Sequence, residues 1–79
     1  MNQSLRTLLQ SVFNLAESEF NETLSKADIS SWDSLGHMDL VTRLEREFNI
    51  TLTMQDIIAM QSFPTIIDIL KEKGVIVEG

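Results

Sequence analysis

The chain has 79 residues, a length that suits a single domain with a small core. Its hydrophobic share of 43% and charged share of 23% are those of a globular protein and exclude a disordered one. Twelve acidic against six basic residues give a formal net charge of −6, which repels nucleic-acid phosphates, and the lack of cysteine excludes disulfides and thiolate metal sites.

In chain order, Leu5, Leu8, Leu9, Val12, Phe13 and Ala16 keep a helical period and predict a first helix from about Asn2 or Ser4 to Leu15. Residues Glu17 to Trp32 lose that period and are rich in Ser, Asn, Asp and Glu, a long connection for so small a domain. Phe20, Leu24, Ile29 and Trp32 are expected to pin this loop to the helices, with Ser25 to Asp28 forming a short capped turn.

Asp33 is a good helix N-cap, since its carboxylate accepts amide groups that a first turn leaves unpaired. His37, Leu40, Val41, Leu44 and Phe48 then follow at spacings of three and four, predicting a second helix that ends near Asn49. Leu40, Val41, Leu44 and Phe48 make its core stripe, with His37 at the edge. Leu35 and Met38 fall on another face, with Asp39, Thr42 and Arg46. Periodicity is equally consistent with a docking surface there and with packing beneath the preceding loop. Ser34 sits on the first turn, where free N–H groups and the positive end of the helix dipole favour an anionic substituent such as a phosphodiester.

Ile50-Thr51-Leu52-Thr53 alternates but has no obvious partner strand, so it reads as an extended connector with Ile50 and Leu52 turned inward. Thr53 caps a short third helix, Met54 to Met60, expected to bury Ile57 and Met60. Pro64 belongs in the first turn of a fourth helix, whose apolar stripe is Phe63, Ile66, Ile67 and Leu70. Lys71 and Lys73 suit its negative end and Gly74 its C-cap, leaving Val75 to Gly79 as a loosely packed tail. The fold class is therefore all-α, a small four-helix bundle of three longer helices and a short third one, with a long loop between the first two. Residues 1–79 form one domain without repeats, expected to be monomeric because no heptad seam is present.

Several functions fail on the residues themselves. Ser34 and His37, three apart, can approach each other, but Asp39 lies nearly opposite His37 on the helix and cannot orient its imidazole. A helix-turn-helix DNA binder needs a basic recognition helix, which the chain lacks. A sulfur carrier acting through the Gly79 carboxylate would be β-rich, which this pattern is not. No metal site is indicated. The start, Met-Asn-Gln-Ser, lacks a signal-peptide pattern and no apolar run approaches membrane-spanning length, so the expected compartment is the cytoplasm.

Asp33-Ser34-Leu35, followed by a helix ending Leu44-Glu45-Arg46-Glu47-Phe48-Asn49-Ile50, resembles the acyl carrier proteins. Helix lengths, the long first loop and the short third helix fit that family along nearly the whole chain. The resemblance implies 4′-phosphopantetheine, donated from coenzyme A and esterified to Ser34, with Asp33 and His37 beside it. Its terminal thiol would hold acyl groups as thioesters, supplying a sulfur that the chain itself lacks. Such a carrier is not an enzyme: it raises the effective concentration of a tethered substrate at successive partners. The implied partners are a phosphopantetheinyl transferase, an acyl-loading ligase or acyltransferase, and synthases or other acyl-transfer enzymes of fatty acid, polyketide or specialised pathways. Leu35, Met38, Asp39, Thr42 and Arg46 would meet them. By position, Leu44, Leu52, Ile57, Met60, Phe63 and Ile66 would line an acyl-chain pocket, although all six also serve as plain core.

The chain departs from carriers of primary fatty acid synthesis, whose second helix is strongly acidic. Gly36 stands where an acid is common, Trp32 where a small residue is common, and Arg43 and Arg46 offset Asp39, Glu45 and Glu47 to leave a net −1 over Ser34 to Phe48. A specialised stand-alone carrier with a mixed-charge docking face is the expectation. An aminoacyl or peptidyl carrier, for which Pro64-Thr65-Ile66 is also suitable, and an unmodified helical adaptor are the alternatives.

Overall fold

A computed structural model of the protein describes residues 1–77. Among these the helices are α1 (Gln3–Phe13), α2 (Ser34–Phe48), α3 (Met54–Ala59) and α4 (Phe63–Glu72), with short 3₁₀ turns at Glu17–Glu19 and Lys26–Asp28 in the long loop. The all-α bundle expected from periodicity is what forms.

Each start is capped by a side chain. Asn2 accepts from the Leu5 amide, Asp33 from Gly36 and Ser62 from Thr65, while Thr53 and Asp56 cap α3 reciprocally. Three ends share one device. Asn14, Asn49 and Gly74 take left-handed backbone angles, and the next residue's amide reaches back to a carbonyl of the last turn: Leu15 to Gln10, Ile50 to Glu45 and Val75 to Leu70. Leu15, Ile50 and Val75 are apolar and pack against the core, so each helix stop also adds to the interior.

The core gathers Leu5, Leu9, Leu40, Leu44, Met60, Phe63, Ile66 and Leu70, all fully buried. The long loop is fastened at several points. Arg6 pairs with Glu17 and lies over the Phe20 ring, 4.4 Å from its centroid. The Lys26 amide donates to the Gln61 carbonyl and the Phe63 amide to Leu24, a brief antiparallel pairing at Ser25 and Ser62. Phe13, Trp32, Phe63 and Phe20 stack across the interior, with Trp32 4.7 Å from Phe13 and 5.8 Å from Phe63 between centroids.

Four local expectations are corrected. Of the apolar stripe on α4, Ile69 is buried and Ile67 only half-buried, because Phe63, Ile66, Ile69 and Leu70 share one face at spacings of three and four and Ile67 falls at its edge. Phe48 and Ile57 are half-buried rather than fully interior, while Met60 is fully buried just past the end of α3. The loose tail expected after Gly74 does not form through Val77: that residue is buried, its carbonyl accepts from the Asn2 amide at 2.6 Å, and Ile76 accepts from the Asn2 side chain at 2.7 Å. The first helix also stops earlier than expected, at Phe13, where Asn14 turns the chain out of helical geometry. Gly79 lies outside the described residues.

Candidate functional site

Ser34 is the first residue of α2 and is exposed, and its hydroxyl has no hydrogen-bond partner among the described residues. Asp33 holds this helix start in place. Its carboxylate accepts from the Gly36 amide at 2.8 Å, and its carbonyl accepts from the His37 amide at 2.8 Å. The amides of Ser34 and Leu35 find no acceptor among the described residues, and as the first N–H groups of a helix they face its N-terminal end. A free hydroxyl next to open N–H donors at the positive end of a 15-residue helix suits a phosphodiester, which is acceptor-only and anionic.

Gly36 has a steric reason to be glycine. The carbonyl oxygen of Ser31 lies within clashing distance of where a Cβ on residue 36 would stand. Ser31 is tied in turn to the end of α1, its hydroxyl donating to the Phe13 carbonyl at 3.0 Å. The loop therefore lies directly against the first turn of α2. From sequence, Gly36 reads as a missing acid. The tertiary contact shows that any side chain would displace the loop.

His37 is half-buried, and both ring nitrogens are engaged. The Trp32 Nε1–H donates to Nδ1 at 2.9 Å, and Nε2 lies 2.7 Å from the Ile57 carbonyl. An acceptor at Nδ1 and a donor at Nε2 correspond to one neutral tautomer. Asp39 faces away and pairs with Arg43 at 3.3 Å, so Ser34, His37 and Asp39 form no catalytic relay.

The face bearing Leu35 and Met38 is open. Leu35 is 84% exposed and Met38 54%, beside exposed Asp39, Thr42 and Arg46. Thr42 turns its hydroxyl back to the Met38 carbonyl, at 3.0 Å. Packing beneath the loop, the other reading of this face, is not found. Met54 and Ile58 on α3 are exposed too. They escaped the sequence reading, although Ile57 and Ile58 are adjacent on a six-residue helix and cannot both turn inward.

Leu44, Met60, Phe63 and Ile66 are fully buried, Leu52 is nearly so and Ile57 is half-buried. An open groove elsewhere, between α1 and the second half of α2, is lined by Ser4, Thr7, Ser11, Arg43 and Arg46 among others, and Arg43 bridges it to Ser11 at 2.9 Å. It lies nearer the far end of α2 than Ser34. No helix among the described residues is long and apolar enough to cross a membrane, and no group of metal-binding side chains occurs among them.

A family model described as a phosphopantetheine attachment site matches residues 3–71. No curated protein and no solved structure matches the chain.

Proposed function

This chain belongs to the phosphopantetheine attachment family, whose domains carry 4′-phosphopantetheine on a serine, and on that premise we propose that the serine is Ser34. The observation that carries the assignment is a free, exposed hydroxyl on the first residue of a helix whose start is fixed by Asp33. Attachment forms a bond from Ser34 Oγ to phosphorus, breaks the pyrophosphate of coenzyme A and releases adenosine 3′,5′-bisphosphate, while the hydroxyl proton passes to the transferase. The arm's thiol then supplies thioester chemistry to acyl groups made and consumed by other enzymes.

The chain's own residues anchor and present; beyond accepting the arm at Ser34 Oγ, they leave bond-making to partner enzymes. Asp33 holds the helix start, and Leu35 and Met38 offer apolar contact beside the anchor. Asp39 is offset by Arg43 within this surface, which favours a specialised carrier over one with a uniformly acidic docking helix. The partners are a phosphopantetheinyl transferase, a loading ligase or acyltransferase, and synthases or acyl-transfer enzymes of a fatty acid, polyketide or related pathway.

Intact mass spectrometry tests the assignment. Incubated with coenzyme A and a promiscuous transferase, the protein is expected to gain one phosphopantetheinyl group. The Ser34→Ala variant is expected to keep its bare mass while remaining folded. Addition to another side chain, or none to the wild type, refutes it.

A further inference from the structure

The contacts that hold α3 point to a role for the His37 side chain. A chain tethered at Ser34 reaches the interior only if α2, α3 and α4 part around Leu44, Leu52, Met60, Phe63 and Ile66, which are buried and packed against their neighbours. The element most easily moved is α3. It has six residues, too few to be stable alone, and its position depends on contacts to the rest of the bundle.

Those contacts are polar and specific. His37 Nε2 meets the Ile57 carbonyl at 2.7 Å, Lys73 Nζ pairs with Asp56 at 2.8 Å, and the Leu52 amide, just before α3, donates to Glu45 at 3.0 Å. The His37 contact is the one beside the anchor, one helical turn from Ser34 and on the side of α2 that faces α3. Its geometry is set from behind by Trp32, whose N–H holds Nδ1 and whose ring is locked between Phe13 and Phe63. Moving α3 away strips the Ile57 carbonyl and His37 Nε2 of each other and breaks a part-buried hydrogen bond beside a buried aromatic cluster.

Building on the assignment of the arm to Ser34, we propose that the Trp32–His37–Ile57 relay is a latch that keeps a tethered acyl chain outside the bundle. The cargo of this carrier is thus presented at the surface, beside Leu35 and Met38, instead of being drawn into the core. His37 acts here as a positioning residue, through α3.

The test loads wild type, His37→Ala and Trp32→Phe with acetyl- and octanoyl-phosphopantetheine from the corresponding coenzyme A esters. Intact mass confirms loading first, so failure of the Ser34 assignment shows there and is not confused with failure of the latch. Thermal midpoint and the rate of thioester cleavage by hydroxylamine are then compared between the two acyl forms. In wild type both readouts are expected to be independent of chain length. In each variant the octanoyl form is expected to melt higher than the acetyl form and to be cleaved several-fold more slowly. Trp32→Phe keeps an aromatic ring in the stack while removing the N–H, so it covers the case in which His37→Ala does not fold. Protection of the octanoyl thioester in wild type overturns the proposal. So does a variant that loses stability equally in both acyl forms with cleavage rates unchanged, the signature of a merely structural histidine.

Discussion

The carbonyl oxygen of Ser31 lies within clashing distance of where a side chain on Gly36 would begin, so the end of the long loop and the first turn of α2 leave no room for one between them. That contact keeps Trp32 and Asp33 next to Ser34. Replacing glycine by alanine inside an exposed helix ordinarily gains up to about 1 kcal/mol. Here a backbone oxygen has to move, and overpacking of that kind costs roughly 1–3 kcal/mol. Gly36→Ala is therefore expected to lower stability, by about 1 kcal/mol net, measured by urea unfolding. A more stable variant would show that the loop yields freely.

Val77 closes the domain by meeting the start of α1. It is 2% exposed, and its carbonyl accepts the Asn2 amide. Val77→Ala is expected to cost about 1–3 kcal/mol through lost burial and a residual cavity. For a domain of this size that lowers the thermal midpoint by several degrees, at about 4–8 °C per kcal/mol. No change would mean that the segment after Gly74 is dispensable.

Asp56 gives α3 a pH dependence. The hydrogen bond from Lys73, with that from the Thr53 amide, holds its carboxyl below the ordinary value. Because the folded value is the lower one, the stabilisation is complete above the ordinary carboxylate range and is lost as pH falls through and below it. Glu17, lowered by its hydrogen bond from Gln10 and the charge of Arg6, acts in the same direction. Thermal midpoints of wild type and Asp56→Asn are expected to differ at neutral pH and to converge at about pH 2. A gap that widens on acidification contradicts this sign.

Leu35 is 84% exposed and makes no contribution to the buried core, so Leu35→Ala is expected to change stability by less than about 0.5 kcal/mol. Loading by the transferase is nevertheless expected to slow, chiefly through a higher KM. Over Ser34–Phe48 the acids Asp39, Glu45 and Glu47 face the bases Arg43 and Arg46, and Arg43 is paired with Asp39. Raising salt from about 0.1 M to about 1 M shortens the Debye length from about 10 Å to about 3 Å. Partner affinity is expected to fall little over that range, as measured by titration; a steep fall would mean that charge and not apolar contact drives docking.

Helix α2 was legible in advance because everything that defines it is local. Asp33 as cap, Ser34 as first residue and the spacing of Leu40, Val41 and Leu44 all lie within a few turns of one another, and helical geometry converts such spacing directly into faces. The exposure of Leu35 and Met38 required the fold, since one periodicity is compatible with open solvent or with a loop laid on top. The same holds for Gly36, where composition suggests a change of charge and the loop imposes a steric limit.

Contacts that join distant segments left no period to read. His37 meets Ile57 twenty residues on, Ser31 meets Phe13 eighteen residues back, and Asn2 meets Val77 across the length of the described chain. Helix propensity, capping and amphipathic spacing thus settled which segments are helical and placed a serine at the mouth of one of them. Which side chains close the space behind that serine was decided only when α3, the long loop and the carboxy-terminal segment packed together. Hydrogen bonds and excluded volume act between atoms near in space, and in this chain those atoms belong to residues far apart in order.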